Sequence, residues 1–245
     1  MPVSAASTET NALPRLAVIV PVLNEAPGIA ATLAALQPLR ARGARVVVVD
    51  GGSSDATPDL ARAAQAEVVG SGRGRARQMN AGAAHASPWA DALLFLHADT
   101  RLPPDADRLI AAALARDARW GRFDVRIDGR SRWLVPIAML MNLRSRLTGI
   151  CTGDQAIFAT RAFFEALGGF PEQPLMEDIE FSRRARRGAP PAALRPAVVT
   201  SGRRWDNAGA WRTIVQMWSL RWRYFRGVDA AVLAREYGDQ RERQR

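Results

Sequence analysis

Four short apolar runs, separated by stretches with helical spacing, constrain the fold of this chain more than any other feature of its sequence. Each run is too short for a typical helix and is rich in aliphatic and β-branched residues, as in strands buried on both faces of a sheet. Strands that alternate with helices predict a parallel, Rossmann-like sheet with right-handed crossovers. We therefore expect an α/β fold, a mostly parallel central sheet flanked by helices, with a C-terminal helical segment. The predicted strands cover residues 16–20, 46–49, 68–69 and 92–96.

Polar residues follow three of these runs, at the points where the strands are predicted to end. In open α/β sheets, ligands bind just outside the carboxyl ends of the strands. We therefore expect the polar side chains at these three ends to lie along one edge of the sheet and to form a single site. These side chains belong to Asn24, Glu25, Asp50, His97 and Asp99.

Asp99 places a carboxylate at such a strand end, where it suits a divalent cation held against a phosphate. An alternative is that Asp99 caps the helix that follows Pro103 and Pro104, because Asp is favoured at that position. The loop 70–77 is rich in glycine and arginine and has the chemistry to contact a phosphate. Its spacing excludes the usual P-loop and argues against a dinucleotide site.

The second half of the chain contains fewer clear strands. Residues 123–127 alternate between apolar and polar types and predict an edge strand, whereas the stretch 156–159 predicts another short strand. The helix that begins near Met176 has acidic residues in its first turn and arginines in its last turn, as the helix dipole favours. The dipole alone accounts for Glu177 and Asp178, so their charges do not by themselves indicate a function.

Two stretches in this half are strongly apolar. Residues 133–141 are too few to cross a membrane and predict a helix in the core or at a membrane interface. In the last predicted helix, residues 211–226, aromatic and aliphatic side chains share one face, and arginines lie on the opposite side or its flank. This face fits a helix at a membrane surface, and it equally fits a helix that packs on the core or on a second copy of the chain.

The composition limits the class of protein. The single cysteine, Cys151, excludes an intramolecular disulfide and a zinc site built from cysteines. Neither a secretory signal nor an apolar run of membrane-spanning length is visible, so a cytoplasmic protein is expected. All 34 basic residues are arginine, and the formal net charge of +10 predicts attraction to phosphates or to an anionic membrane surface.

Five short motifs occur in order between residues 16 and 181, although any one of them alone is unspecific. Together they resemble the family 2 glycosyltransferases of the GT-A fold, in the form of bacterial members that carry His-Ala-Asp in place of Asp-x-Asp. The motifs are IVPVLNE (19–25), VDGGSSD (49–55), RARQMNAG (75–82), HAD (97–99) and ED (177–178).

The resemblance implies an inverting hexosyltransferase that takes its sugar from a nucleoside diphosphate, with a UDP-sugar as the expected donor. Asp178, beside Glu177, matches the catalytic base of the family. Asp99 matches the last Asp of Asp-x-Asp, which holds Mg²⁺ or Mn²⁺ on the diphosphate. The resemblance places Pro21, Val22, Asn24, Glu25, Asp50, Arg75, His97, Ala98 and Asp99 in the nucleotide-sugar pocket, and Gly153, Asp154, Gln155, Arg203, Arg204 and Trp205 around the acceptor and diphosphate.

His97 stands where the family has the first Asp of Asp-x-Asp. A neutral imidazole can still bond a ribose hydroxyl, but it removes one negative charge from the metal site. The exchange therefore predicts weaker metal binding. This binding is expected to tighten between about pH 5.5 and 7.5 if the imidazole must be neutral.

The length of 245 residues suits a single α/β domain with a C-terminal appendage. We divide it into a disordered leader (1–14), a nucleotide-sugar-binding half (15–100), an acceptor and catalytic half (101–205), and a C-terminal amphipathic helix and tail (206–245). The apolar stretches indicate a lipid-linked acceptor and a position at the inner face of the membrane.

Two other functions remain open at this stage. A nucleotidyltransferase of related fold would release pyrophosphate, but its glycine-rich signature after the first strand is missing. An arginine-rich nucleic-acid-binding protein would explain the net charge. The acidic strand ends would repel nucleic-acid phosphates, however, so no specific nucleic acid is expected as a partner.

Overall fold

The computed structural model describes residues 13–242, and its strands form one eight-stranded sheet. In chain order the strands are β1 (Leu16–Val22), β2 (Arg45–Asp50), β3 (Glu67–Gly70), β4 (Ala92–Phe95), β5 (Thr100–Arg101), β6 (Trp120–Asp128), β7 (Ile157–Thr160) and β8 (Ala192–Ser201). Across the sheet the order is β3-β2-β1-β4-β7-β6-β8-β5.

Helices connect the strands and extend beyond the last of them. They are α1 (Ala26–Ala35), α2 (Gln37–Arg40), α3 (Thr57–Ala63), α4 (Arg75–Ala86), α5 (Ala106–Leu114), α6 (Leu134–Thr148), α7 (Arg161–Ala166), α8 (Glu177–Gly188), α9 (Arg203–Ala208), α10 (Ala210–Phe225) and α11 (Ala230–Glu242). A short 3₁₀ turn, Gly153–Gln155, precedes β7.

The half of the sheet built from β3, β2, β1 and β4 is entirely parallel. This confirms the predicted α/β fold with a mostly parallel central sheet. The apolar side chains of these strands are buried on both faces, with Val18, Ile19 and Val20 fully inaccessible to solvent. Because the strands are parallel, the carboxyl ends of β1, β2 and β4 meet at one edge of the sheet.

The other half of the sheet is mixed. β7 runs antiparallel to β4 and to β6, and β6 lies between β7 and β8. The prediction of an edge strand at 123–127 is therefore wrong, because β6 is an interior strand. Asp124 contributed to the alternating pattern, but its carboxylate pairs with Arg122, whose side chain is 1% exposed. Because Asp124 pairs with the buried Arg122, an interior strand shows the alternating sequence pattern that is typical of a half-exposed strand.

Apolar side chains pack on both faces of the sheet, and α4 lies directly on one of them. Gly82 makes this close approach possible. A Cβ atom at this position would lie 2.5 Å from Cγ2 of Ile19 and 2.8 Å from Cγ2 of Val49. The helix that begins with Arg75 is therefore seated against β1 and β2 at the edge where the strands end.

The C-terminal segment contains three helices. The predicted helix 211–226 corresponds to α10, and it is flanked by α9 and α11. Most of the predicted leader, residues 1–12, lies outside the described residues, as do residues 243–245. The chain divisions at residues 100 and 205 remain predictions. Within the described part of the chain, no helix combines the length and the apolar character that crossing a bilayer requires.

Most of the exposed large apolar side chains belong to two neighbouring helices. Among the described residues, α6, α10 and Trp133 carry eleven of the twelve, and the twelfth is Leu60 in α3. The two helices are neighbours because Ile214 of α10 packs on the cluster that includes Ile137 of α6. We call this surface the apolar face; it consists of Trp133, Val135, Met139, Leu140, Leu143, Leu147, Trp211, Val215, Trp218, Trp222 and Phe225.

Candidate active site

The loops that follow β1 and β2 are tied together at the edge of the sheet. The backbone N–H of Asn24 donates to Oγ of Ser53 at 2.9 Å, and Oδ1 of Asn24 accepts from the N–H of Ser54 at 2.8 Å. The Asp50 carboxylate accepts from the N–H groups of Gly52 and Ser53, each at 3.1 Å. Asn24 has a φ of 55°, a left-handed conformation that persists where surrounding bonds enforce it. The two strand ends therefore form one fixed unit.

Pro21, Val22, Glu25 and Ala98 lie at the same edge. Pro21 and Val22 end β1, and Glu25 directly precedes α1. Ala98 is buried after β4, and its carbonyl accepts a hydrogen bond from the hydroxyl of Thr32. The predicted nucleotide-pocket residues of these two strands are thus brought together.

Gln78 also builds this site, although the sequence motifs did not single it out. Its side chain is buried, and Nε2 donates to the carbonyls of Val22 and Val49, both at 2.8 Å. Because these carbonyls belong to neighbouring strands, Gln78 fixes the spacing between the two strand ends. The sequence could have indicated this role, because Gln78 lies on the same face of α4 as Met79 and Gly82, the face that is buried.

Asp99 lies exposed beyond β4, close to the edge of the sheet. The alternative of a helix cap is wrong, because β5 intervenes and α5 begins at Ala106 with Asp105 in the capping position. Asp99 is therefore not used as a helix cap, and its side chain stays exposed to solvent.

His97 faces the 3₁₀ turn before β7. Its Nε2 atom is buried and has no hydrogen-bond partner among the described residues, and a Cβ on Gly153 would lie 2.4 Å from it. Burial, followed by the positive charge of Arg75, lowers the pKa of His97 to about 3. The imidazole is therefore already neutral between about pH 5.5 and 7.5, and the predicted tightening of metal binding over that range is wrong.

Asp178 is held in the first turn of α8. Its Oδ2 atom accepts from the N–H of Gly153 at 2.8 Å, and Oδ1 accepts from the N–H of Ile179 at 2.7 Å. Met176, which directly precedes α8, has a φ of 65°, a left-handed conformation uncommon for residues other than glycine. The carboxylate is half-buried, so it is fixed in orientation and still reachable.

Glu177 is paired with Arg75. Nη1 of Arg75 lies 3.3 Å from Oε1 of Glu177, and the glutamate side chain is 4% exposed. Burial raises the pKa of Glu177, and the neighbouring Asp178 raises it further, against the lowering effect of Arg75. Arg75 thus reaches the acidic pair from the start of α4, while half of its side chain remains exposed.

The 3₁₀ turn brings two of its three residues to Asp178. Gly153 bonds to the carboxylate directly, and Asp154 lies within its electrostatic reach. Burial raises the pKa of Asp154, and its Oδ1 atom is buried without a hydrogen-bond partner among residues 13–242. Gln155, in contrast, is fully buried, and its Nε2 donates to Oγ of Ser145 at 3.1 Å. It positions the turn from inside the protein.

A small cavity of about 10 Å³ lies between His97, which follows β4, and the acidic residues at the start of α8. Its polar lining comes from α4, from the end of β4, from the 3₁₀ turn and from α8. These polar residues are Arg75, His97, Gly153, Glu177 and Asp178.

Arg203, Arg204 and Trp205 form the first turn of α9. Arg203 Nε lies 3.3 Å from Oγ of Ser201, and the Arg204 guanidinium lies over the ring of Tyr237 at 4.9 Å. Trp205 packs on the apolar cluster shared by α6 and α10. These contacts account for the three side chains structurally, and their role at the diphosphate stays a prediction.

At this edge of the sheet, the carboxylate of Asp99 suits the binding of a cation. No group of three or more histidine, cysteine or acidic side chains suited to a metal occurs within residues 13–242. Mg²⁺ is commonly bound by one or two carboxylates, with substrate phosphates and water completing its shell. The exposed Asp99 fits this mode, whereas the described residues do not form a metal cage of their own.

The sheet and its flanking helices are those of a GT-A glycosyltransferase fold. The family model described as Glycosyl transferase family 2 matches residues 17–166, more than half of the chain. The chain belongs to this family. No curated protein matches the sequence significantly.

Solved structures of several glycosyltransferases are similar to this chain. A mannosyltransferase from Pyrobaculum calidifontis, in complex with GDP-Man and Mn²⁺, is 26% identical with a TM-score of 0.57, over 77% of this chain and 56% of that one. Staphylococcus aureus TarS 1–349 with UDP-GlcNAc is 20% identical with a TM-score of 0.62, over 76% and 58%. Glucosyl-3-phosphoglycerate synthase from Mycobacterium tuberculosis, with Mn²⁺, UDP and glucosyl-3-phosphoglycerate, is 20% identical with a TM-score of 0.55, over 76% and 72%. The chain thus matches little more than half the length of the first two.

Proposed function

We propose that this protein is an inverting glycosyltransferase, of the hexosyltransferase type, that transfers a sugar from a nucleoside diphosphate to a hydroxyl or phosphate of an acceptor. The observation that carries the proposal is the fixed, half-buried carboxylate of Asp178 beside a cavity that His97 of the donor edge also lines. Membership of the family and the nucleotide sugars bound by similar structures support it. We expect a UDP-sugar as donor.

Asp178 is the proposed general base. In an inverting displacement, the base takes the proton of the acceptor hydroxyl as its oxygen attacks the anomeric carbon and the bond to the diphosphate breaks. Both Asp178 oxygens are oriented by backbone N–H groups, which suits proton transfer at a fixed position. Glu177 is less suited, because its side chain is only 4% exposed and is already paired with Arg75. This pair positions the base and keeps a guanidinium near the departing diphosphate.

The donor would bind along the edge of the sheet, with base and ribose at Pro21, Val22, Asn24, Glu25 and Asp50. Asp99 would hold Mg²⁺ or Mn²⁺ on the diphosphate, and when bound the cation supplies positive charge that stabilises the leaving group. We place the chain with the members of the family that carry His-Ala-Asp. In this arrangement the neutral His97 adds no charge to the metal site.

Nucleoside diphosphates are expected to raise the Tm of the protein, and to raise it further when Mn²⁺ is present. A ligand at 100 times its Kd stabilises the folded state by about 2.7 kcal/mol, which a thermal-shift assay detects readily. Asp99→Asn should remove the Mn²⁺-dependent part of the shift. The exposed Asp105→Asn serves as the matched control and should retain it. If no nucleoside diphosphate shifts the Tm, with or without Mn²⁺, the donor site is wrong.

We further propose that the apolar face lies on an anionic membrane surface, at the inner face of the membrane, where a lipid-linked acceptor is within reach. Its side chains are each between 53% and 77% exposed, and contiguous apolar patches of this kind mark interaction sites. Several of them are tryptophans, whose rings suit the level of the lipid headgroups. The exposed Arg132, Arg212 and Arg226 lie in or beside the same segments and favour anionic lipids.

Sedimentation with vesicles tests this contact. The protein is expected to bind vesicles that contain anionic lipid. The double variant Trp218→Ser/Trp222→Ser should bind about tenfold or more weakly, because it loses two exposed aromatic side chains that would enter the lipid surface. Leu60→Ser, which removes an exposed apolar side chain from α3, is the matched control and should bind normally. Wild-type protein that stays in the supernatant, or a stable dimer in which these helices are covered, would argue against membrane contact.

A further inference from the structure

Two arginines in the helices of the apolar face turn inwards, Arg144 of α6 and Arg221 of α10. Nε and Nη2 of Arg144 and Nε of Arg221 are buried and have no hydrogen-bond partner among residues 13–242. A guanidinium presents five N–H donors, and buried donors in folded proteins are almost always bonded. These nitrogens are therefore able to take a further acceptor group.

The packing of the two helices brings the arginines into the same space. Arg144 follows Ile137 by about two turns, and Arg221 follows Ile214 by the same interval, so each arginine shares a helix face with its isoleucine. Ile214 packs on the cluster that includes Ile137. Burial, followed by repulsion from Arg221, lowers the pKa of Arg144 to about 10, as expected for two neighbouring guanidinium groups.

This space lies at the catalytic end of the site. Asp178 and Asp154 are within electrostatic reach of Arg144, and Asp154 also interacts with Arg221. The unpartnered Oδ1 of Asp154 belongs to the same cluster. Asp154 carries at most one negative charge, so it balances the two guanidinium charges only in part.

The other acidic side chains at the start of α8 already have partners. Glu177 pairs with Arg75, and Glu180 pairs with both Arg183 and Arg184. A purely structural ion-pair network therefore does not explain why two arginines are brought together here. Two partly buried guanidinium groups, each with an N–H group that has no partner among residues 13–242, suit an anionic ligand.

We propose that Arg144 and Arg221 bind a phosphate group of the acceptor beside Asp178. Planar guanidinium groups bind phosphate oxygens through paired, charge-assisted N–H bonds, which fix the orientation of the ligand as well as its position. An acceptor held in this way presents a neighbouring hydroxyl, or an oxygen of its own phosphate, to the base. The assignment of this phosphate to an acceptor rests on the proposed function. The binding of a phosphate by the two arginines does not depend on it.

The first test is calorimetric titration of the full chain with inorganic phosphate, in the presence of UDP and Mn²⁺ to occupy the donor site. Arg144→Gln and Arg221→Gln are each expected to weaken phosphate binding about tenfold or more, because each loses charge-assisted bonds. Arg146→Gln in α6 and Arg235→Gln in α11 remove exposed arginines and should leave it unchanged. The affinity for UDP is measured in parallel and should be the same in all four variants.

The outcomes separate this inference from the proposed function. Phosphate binding that is equal in wild type, Arg144→Gln and Arg221→Gln overturns the phosphate site, even if UDP binds as expected. If UDP fails to bind while the two variants still lose phosphate, the donor proposal fails and the phosphate site stands. Should Arg144→Gln unfold, Arg144→Lys replaces it; this variant keeps the charge, loses the paired geometry and should bind phosphate more weakly than wild type.

A second arm identifies the source of the phosphate. Vesicles of phosphatidylcholine are compared with vesicles that also contain phosphatidate, a lipid with a phosphomonoester headgroup. Stronger binding to phosphatidate that Arg144→Gln loses and Arg146→Gln keeps supports a lipid phosphate. Binding of free phosphate or glycerol phosphate without any phosphatidate effect supports a small phosphorylated acceptor.

Discussion

Replacing Asp178 by Asn is expected to lower kcat for sugar transfer by about 10²–10⁴-fold, the usual contribution of a general base. The amide preserves the size of the side chain and can still accept a bond from the N–H of Gly153, but it cannot take up the acceptor proton. The Kd for the nucleoside diphosphate should change by less than about twofold, because Asp178 does not belong to the donor loops of β1 and β2. Initial rates at saturating donor, with Kd from thermal shifts, measure both quantities.

The matched control is Asp59→Asn, the same chemical change at a carboxylate that is 84% exposed and pairs with Arg62 on the surface of α3. It should leave kcat unchanged. Transfer at the wild-type rate by Asp178→Asn would show that another group takes the proton. A large loss of nucleotide affinity in that variant would instead assign Asp178 to donor binding.

Replacing Asp124 by Ala is expected to lower the free energy of unfolding by about 3–5 kcal/mol, because it leaves the buried charge of Arg122 without its partner. The Arg122 side chain is 1% exposed, and its Nη2 also donates to the carbonyl of Asn142 at 3.3 Å. The Asn142 amide in turn bonds both backbone groups of Val125, which ties α6 to β6. Urea unfolding measures the change.

Arg146 provides the control for this prediction, since it contacts the same carboxylate from the surface at 2.7 Å. Arg146→Ala should cost about 1 kcal/mol or less, as is usual for an exposed ion pair. The double variant Arg122→Met/Asp124→Ala should recover most of the stability, because it removes both buried charges. If Asp124→Ala and Arg146→Ala lower the free energy of unfolding equally, leaving Arg122 without its partner has no additional cost.

The parallel half of the sheet was predictable because its strands are continuous apolar runs. The run 92–96 became β4 (Ala92–Phe95), and Asp50 appeared at the end of β2 as expected. Once the strands are parallel, topology alone places their polar ends on one edge. Prediction of the donor side therefore required no knowledge of long-range contacts.

The contacts between the two halves of the site could not be predicted in this way. The Arg75–Glu177 pair and the bond from Gly153 to Asp178 join residues that are far apart in sequence. Helical periodicity indicates which side of α10 carries Arg221, but it does not reveal which helix that side meets. For the same reason, the sequence did not indicate that Arg122, just before the predicted strand 123–127, is buried against Asp124.

The reversal of chain direction at β7 has a consequence for how such an enzyme changes over time. Ile157 pairs with Phe95, so the entrance to β7 lies beside the exit from β4. Insertions or substitutions in the segment between α6 and β7 therefore alter what is presented to Asp178, while the loops around Asn24 and Asp50 keep their mutual bonds. Under the proposed function, the antiparallel β7 thus separates the segment that contacts the base from the loops that bind the nucleotide, so we expect the two to vary independently.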